Sequence, residues 1–231
     1  MLPLKDTVPA RSFPAVNWAL IAANVVVFLF ELALGPDAEL LLFALGAVPA
    51  RILASATPDQ LATLFTSMFL HGGWLHLISN MLALYIFGDN VEDRMGHSGY
   101  AVFYLLCGLA AGLTHLFFNA ASPVPAIGAS GAISGVLGAY FILFPRARVI
   151  TLVPIFILPW FVEIPALIYL GFWFLSQLFN GALEIVAGAQ AYGGVAWWAH
   201  AGGFIAGIVL VWLFTRRQYV RPVYVDEYRP W

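Results

Sequence analysis

Four polar side chains with catalytic potential lie in long apolar segments of this sequence. His76 and Asn80 in "HGGWLHLISN" are spaced to share one face of a helix. Ser130 lies in "GASGAISG" and His200 in "WWAHAGGFIAG". A serine hydroxyl becomes an effective nucleophile when a neutral imidazole takes its proton, and the resulting oxyanion needs preorganised donors. These residue types predict acyl transfer by a serine–histidine dyad, with the other two side chains and the free N–H groups opening the serine's helix as oxyanion donors.

The composition indicates an integral membrane protein. Of the 231 residues, 62% are hydrophobic and 10% are charged, and the mean hydropathy is +0.88. A water-soluble core of this size cannot bury so many apolar side chains. The formal net charge of -2 and the absence of a long basic run predict no nucleic-acid partner. The single cysteine, Cys107, excludes an intrachain disulfide.

Apolar runs predict an all-α bundle of six transmembrane helices, each near the length that a bilayer requires. The predicted spans are 16–34, 75–89, 100–119, 130–144, 164–184 and 196–214. The half-apolar segment 35–71 contains three prolines and predicts a long membrane-associated loop between helices 1 and 2. The proline-interrupted run "VITLVPIFILPW" predicts an interfacial connection. Residues 1–15 and 215–231 are then cytoplasmic tails that flank a six-helix domain at 16–214.

The basic residues predict the orientation. With both termini cytoplasmic, nine of the ten basic residues lie inside and only Arg51 lies outside, as the positive-inside rule favours. Helices 2, 4 and 6 then run inward, which places the four polar side chains at one depth in the outer part of the membrane. Residues 128–144 span roughly 25 Å at 1.5 Å per residue, less than a hydrocarbon core of roughly 30 Å. The fourth helix is therefore expected to begin inside a polar cavity that His71 also lines.

Glycine spacing predicts how the helices meet. Gly131 and Gly135 form one G-x-x-x-G pair and Gly203 and Gly207 form another, a pattern that lets helix backbones approach closely. If these faces pack together, the serine and histidine come within hydrogen-bond reach. The glutamates of the apolar segments lie near span ends, so the sequence favours a dyad over a triad. Ser134 lies one turn deeper on the same face, further from the free N–H groups, and is the less suitable nucleophile.

Other interpretations of these residues stay open from the pattern alone. Small-residue runs in membrane helices are usually packing motifs. His71, His76 and His200 could form a metal cluster, but no H-E-x-x-H motif accompanies them. We predict no metal or cofactor. His97 and His115 are interpreted as structural, and the aromatic run "YLGFWFL" as lipid-facing surface. A small transporter would show inverted repeats, and none is visible.

Taken together, "HGGWLHLISN", "GASG" and "AHAGGFIAG" closely resemble the rhomboid family of intramembrane serine proteases over about residues 16–214. "VEDRMG" after the second helix and the long loop after the first are also similar to the family. One position differs: the family often carries an aromatic residue against the histidine ring four residues after the nucleophile, and this chain has Ser134.

The resemblance implies a role for each matching residue. Ser130 would be the nucleophile and His200 the general base; His76 and Asn80 would line the oxyanion hole, and His71 would support it. It also implies cleavage of single-span membrane proteins within or beside their transmembrane segment, in membrane lipid and without metal or nucleotide. We expect a multi-pass protein of a prokaryotic plasma (inner) membrane. The alternative is a catalytically silent relative that binds membrane-protein clients.

Overall fold

The protein is described from a computed structural model, which covers residues 2–155, 158–187 and 195–215. The predicted C-terminal tail therefore lies outside the described residues except for Thr215. Ten α-helices and three strands occur in the part that is described. In chain order they are β1 (Leu2–Asp6), α1 (Ala15–Leu34), α2 (Ala38–Leu45), α3 (Pro49–Ser55), α4 (Pro58–Thr66), α5 (Trp74–Ala83), α6 (Asp89–Met95), α7 (His97–Phe118), α8 (Ser130–Leu143), β2 (Arg148–Ile155), β3 (Leu158–Pro165), α9 (Ala166–Ala187) and α10 (Trp197–Phe214).

Several helices are long and apolar enough to cross a bilayer, as the composition predicts. Within the described ranges there are four such segments, Ala15–Leu45, His97–Phe118, Ala166–Val186 and Trp197–Phe214. The pair Pro58–Phe69 and Trp74–Met95, bent by 80°, makes a fifth if it is counted as one span. Ser130–Leu143 is apolar but shorter. The protein is thus a mostly helical, multi-pass membrane protein.

The segment predicted as a loop at 35–71 contains three short helices. Pro49 and Pro58 lie in the first turns of α3 and α4. Proline is well tolerated there because the first helical N–H groups have no intrahelical partner. These prolines therefore start helices and do not mark a broken, loop-like segment, as their positions in the sequence had predicted.

A three-stranded antiparallel sheet is the main departure from the predicted all-α fold. The strand order is β1-β2-β3, with β1 drawn from the predicted N-terminal tail and β2–β3 from the predicted interfacial connection. β2 contains the β-branched run Val149, Ile150 and Thr151, residues that favour extended backbone. In a chain this apolar, such a run is hard to distinguish from a membrane-embedded segment.

Two carboxylates connect this sheet and α1 to the rest of the bundle. Glu92, only 1% exposed, accepts the backbone N–H groups of Val16 and Asn17 at 3.0 and 2.7 Å, so it caps the start of α1. Asp6 of β1 accepts hydrogen bonds from the Tyr140 hydroxyl and from the Asn90 amide. Burial raises the pKa of the Asp6 carboxyl, and the Tyr140 hydrogen bond partly opposes this shift.

Helix α8 lies at the centre of the bundle. Every residue from Gly131 to Tyr140 is buried, which is expected for a helix surrounded by other helices. A Cβ added at Gly203 would overlap the carbonyl oxygen of Gly131, and one added at Gly207 would overlap that of Gly135. The backbones of α8 and α10 are thus in direct contact along both G-x-x-x-G pairs. We call this contact the glycine seam.

Candidate active site

The first turns of α8 and α10 bring a serine and a histidine together. Ser130 is the first residue of α8, and His200 lies in the first turn of α10. The Ser130 Oγ lies 2.8 Å from the His200 Nε2. The glycine seam just beyond both residues holds the helices close enough for this hydrogen bond. The pair can transfer a proton from the hydroxyl to the ring.

The loop before α8 brings a second histidine to the same place. Gly128 has a φ of +120°, a conformation that side-chain-bearing residues rarely adopt. A Cβ at this position would lie 2.6 Å from the His76 Nε2 and 3.6 Å from the Ser130 Oγ. Glycine is therefore required here for its backbone angle and because the imidazole of His76 packs directly on the chain. His76 thereby reaches the free N–H end of α8.

His71 lies behind His76 and connects three parts of the chain. Its backbone N–H donates to the Glu31 carboxylate of α1 at 3.2 Å. Its Nδ1 lies 3.3 Å from the Phe69 carbonyl, and its Nε2 lies 3.0 Å from the Nδ2 of Asn80. Since a carbonyl only accepts, the Nδ1 carries the proton and the Nε2 accepts from Asn80. The second N–H of that amide remains available, and Asn80 also lines the cavity described below.

Helix α9 supplies contacts to His200 that sequence reasoning missed. The Oε1 of Gln177 lies 2.9 Å from the His200 Nδ1. The Trp173 ring, one turn earlier, lies 6.0 Å from the imidazole, centroid to centroid. Trp173 belongs to the run "YLGFWFL", so the interpretation of that run as lipid-facing surface is wrong for this residue. The signal available in the sequence was an amide in an apolar run, four residues after a tryptophan.

Ser134 lies in the interior but does not take the place of an aromatic cover over the histidine. Its side chain is 1% exposed, and its hydroxyl donates to the Ser130 carbonyl at 2.6 Å. This hydrogen bond directs the hydroxyl along α8. Among the described residues, the aromatic rings beside His200 are those of Trp173 and of Trp197, whose ring lies 6.4 Å away.

A cavity of about 760 Å³ lies beside the Ser130–His200 pair. It is lined mainly by residues of α5 and α8, together with Trp173 of α9 and His200 of α10. Its polar lining includes His76, Asn80, Ser130 and His200. The remaining lining is mostly apolar, as is usual for sites that hold a ligand by shape and orient it with a few polar groups.

The other two histidines do not line this cavity. His97 contacts the buried Glu92 carboxylate, and His115 lies 3.3 Å from the Asn119 amide nitrogen through its Nδ1. In residues 2–155, 158–187 and 195–215, no group of three or more His, Cys, Asp or Glu side chains is arranged to hold a metal ion.

Comparison with known proteins identifies the family. The sequence model of the rhomboid domain matches residues 58–217, more than half of the chain. The chain therefore belongs to the rhomboid family, and the resemblance noted from its motifs is confirmed.

Three relatives show the range of the family. Rhomboid protein 1, mitochondrial, of Saccharomyces cerevisiae is 30% identical over 154 residues, covering 65% of this chain and 41% of its own length. Rhomboid protease GluP of Bacillus subtilis is 35% identical over 127 residues, covering 54% of this chain and 24% of its own. Inactive rhomboid protein 1 of Drosophila melanogaster is 33% identical over 87 residues, covering 38% and 6%. The matches thus span less than half of each relative's length.

Proposed function

We propose that this protein is an intramembrane serine endopeptidase that cleaves transmembrane proteins within or beside their membrane-spanning segment. The observation that carries the proposal is the 2.8 Å contact between the Ser130 Oγ and the His200 Nε2 at the end of a cavity of about 760 Å³. A purely structural hydrogen bond would not need a cavity beside it. Membership in a family that includes a protease relative adds support.

In the proposed reaction, the Ser130 Oγ attacks the carbonyl carbon of the scissile peptide while His200 Nε2 takes the hydroxyl proton. The carbon–nitrogen bond then breaks, and the imidazolium returns this proton to the leaving amine. A water molecule attacks the acyl-enzyme and gives its proton to His200. The carboxylic acid product leaves as the serine oxygen recovers that proton. No redox step or cofactor is needed.

The oxyanion of each tetrahedral intermediate would be held by donors close to the serine. The N–H groups that open α8 have no intrahelical acceptor and lie at the positive end of the helix dipole. His76 packs on Gly128 beside this end, and Asn80 has an N–H that His71 does not use. We propose that these groups form the oxyanion hole, with His71 and Glu31 holding Asn80 and its segment in place.

We further propose a six-span topology, in which α8 and the bent pair Pro58–Phe69 and Trp74–Met95 each count as one span. α8 has 14 residues and so would extend only about 20 Å, which would place Ser130 below the membrane surface. A single-span substrate would enter from the lipid, between α5 and α9, where the cavity lies.

The charge distribution supports cytoplasmic termini. Strand pairing brings Lys5 and Arg148 to the end of the bundle opposite Ser130, where the Arg94 guanidinium lies over the Phe144 ring, whereas Arg51 lies at the Ser130 end. Under the positive-inside rule the first group would face the cytoplasm. We propose a prokaryotic plasma membrane as the location; one relative is from Bacillus subtilis, and the yeast relative is named mitochondrial.

A catalytically silent client-binding protein is the second candidate, because one relative is named an inactive rhomboid protein. The two candidates differ in what they require of Ser130. A silent protein needs neither the hydroxyl nor its contact with an imidazole, whereas a protease needs both.

Reporter cleavage decides between these functions. Purified wild type and Ser130→Ala would be incubated in lipid vesicles with a single-span reporter labelled on both sides of the membrane. We expect cleavage by the wild type and none by the variant, which should bind the reporter equally well. Equal binding without cleavage by either protein would favour the silent candidate. Cleavage by both would exclude Ser130 as the nucleophile.

A further inference from the structure

Gln177 is a buried amide in an apolar helix, and each end of its side chain has a defined partner. Its side chain is 4% exposed, so unpaired polar atoms would be costly. The Nε2 donates to the Trp173 carbonyl at 3.0 Å and to the Ser176 hydroxyl at 2.9 Å. The Oε1 lies 2.9 Å from the His200 Nδ1.

These partners determine the orientation of the amide. The Trp173 carbonyl only accepts hydrogen bonds, so the nitrogen end of Gln177 must face it. The oxygen end therefore faces His200, and a carbonyl oxygen requires a donor. The Nδ1 of His200 must then carry the ring proton.

The tautomer of His200 follows from this orientation. A neutral imidazole holds one proton, so a protonated Nδ1 leaves the Nε2 with a free lone pair. That lone pair faces the Ser130 Oγ at 2.8 Å, which is the form that can accept the serine proton. The opposite tautomer would place an N–H against the hydroxyl and could not act as a base.

We propose that Gln177 is a positioning residue, which holds His200 in the tautomer that can activate Ser130 and stabilises the imidazolium that forms. This role rests on the proposed protease function. In serine proteases with a triad, a carboxylate does this work, and its replacement by an amide that leaves the ring in the wrong tautomer costs about 10⁴-fold in turnover. A buried carboxylate is expensive inside a membrane protein, and a neutral amide avoids that cost.

The geometry also explains how one helix can both orient and cover the ring. Trp173 and Gln177 are one turn apart and so lie on one face of α9. The amide contacts the Nδ1 edge while the indole lies beside the ring at 6.0 Å between centroids. Ser134, whose hydroxyl is directed to the Ser130 carbonyl, contributes neither contact.

The first test compares turnover of the transmembrane reporter by Gln177→Leu, Gln177→Glu and the wild type. Gln177→Leu removes the acceptor, and we expect kcat to fall on the order of 10- to 100-fold, the rate equivalent of one hydrogen bond to a charged group. KM should change little, because the contact matters most in the transition state. Gln177→Glu keeps an acceptor oxygen toward the Nδ1 and should recover most of the loss.

The matched control is Asn180→Leu. Asn180 is another α9 amide, and it donates to the Ser176 carbonyl at 2.7 Å. Its replacement should leave kcat unchanged. If Gln177→Leu does not fold, Gln177→Met against Gln177→Glu provides the same comparison. An unchanged kcat in the apolar variant, or an equal loss in the glutamate variant, would overturn the proposal.

The second test observes the tautomer without any substrate. Nitrogen-15 NMR of protein labelled at its five histidines, with the His200 signals identified by their loss in His200→Ala, reports which ring nitrogen is protonated. We expect a protonated Nδ1 in the wild type and in Asn180→Leu, and a loss of this preference in Gln177→Leu. A ring protonated at the Nε2 in the wild type would refute the role of Gln177 alone. Failure of the wild type to cleave any reporter would refute the proposed function alone.

Discussion

Helix α10 meets α8 and α9 in two different ways. Against α8 its contact is made by backbone, because Gly203 and Gly207 lie directly on the carbonyls of Gly131 and Gly135. Against α9 its contact is made by side chains, as in the stacked rings of Phe174 and Phe204, whose centroids are 4.6 Å apart. Backbone contact has no rotamers to adjust, whereas side-chain contact does.

We therefore expect the two contacts to have different functions in the site. The glycine seam determines where Ser130 and His200 lie relative to each other. The side chains of α9 determine the state of the histidine once it is there. Changes at the seam should therefore abolish activity, and changes on α9 should reduce it by graded amounts.

The largest expected effect comes from Gly203→Val. Its branched side chain would overlap the Gly131 carbonyl and push α8 and α10 apart. Because a shift of about 1 Å can cost on the order of 100-fold in rate, reporter cleavage should be lost while the protein still inserts in the membrane.

The control for the seam is Gly171→Val on α9, where an added Cβ would lie 3.9 Å from its nearest neighbour, an atom of Phe141. This variant should cleave nearly as well as the wild type. Thermal stability in detergent would be measured for both. Normal cleavage by a stable Gly203→Val would show that the seam does not position the dyad.

The next largest effect is expected at the oxyanion donors. His76→Ala and Asn80→Ala should each lower kcat on the order of 100-fold, with little change in KM, because their donors act mainly in the transition state. Steady-state cleavage of the reporter in vesicles separates the two constants. A rise in KM at constant kcat would place these residues in substrate binding instead.

A smaller effect is expected from Trp173→Leu. Aromatic contacts contribute about 0.5–1.5 kcal/mol beyond burial, so loss of this ring should lower kcat/KM by about tenfold at most. The cleavage rate at low reporter concentration provides the measurement. A loss as large as that of Gly203→Val would mean that α9 positions the dyad as strictly as the seam does.

The smallest effect concerns Asp6, far from the dyad. Burial raises its pKa in the folded protein above the usual 3.8. The folded state then binds more protons than the unfolded state, so this group's contribution to stability is lost as the pH rises from about 4 through the raised pKa. Asp6→Asn removes that dependence while keeping an acceptor for Tyr140 and Asn90.

Thermal unfolding in detergent at pH 4 and pH 7 tests this effect. The melting temperature should fall less between these two values in Asp6→Asn than in the wild type. Each 1 kcal/mol of stability that depends on Asp6 would appear as a difference of about 2–4 °C in a chain of this size. An identical pH dependence in both proteins would show that Asp6 is not perturbed by burial.

The sequence predicted the long helices well because a membrane-spanning helix requires a run of about 20 mostly apolar residues, which is visible in the sequence. Predicted and observed bounds of the third helix, 100–119 and His97–Phe118, differ by only a few residues. The short helices at 35–71 and the strands were missed for a common reason. In short segments interrupted by prolines neither the helical nor the strand period repeats often enough to be visible, and proline is compatible with the start of either element.

The residues of the site could also be predicted only in part. Histidine, serine and asparagine inside spans are conspicuous, so the predicted residues could be selected by type alone. Gln177 could not be selected in this way, because its contact with His200 depends on which face of α9 is turned toward α10. The rings of Trp173 and Phe174 pack against Phe204 on that face, and such a tertiary contact cannot be read from the sequence. The need for glycine at position 128 likewise depends on a backbone angle.

The most direct test of whether His200 activates Ser130 as a nucleophile is to locate a covalent adduct on the serine. The detergent-solubilised protein would be treated with a fluorophosphonate, which reacts with activated serines, and the modified residue would be identified by mass spectrometry. We expect a single adduct at Ser130 that is absent from Ser130→Ala and nearly absent from His200→Ala. An adduct at Ser134, or undiminished labelling of Ser130 in His200→Ala, would contradict this expectation.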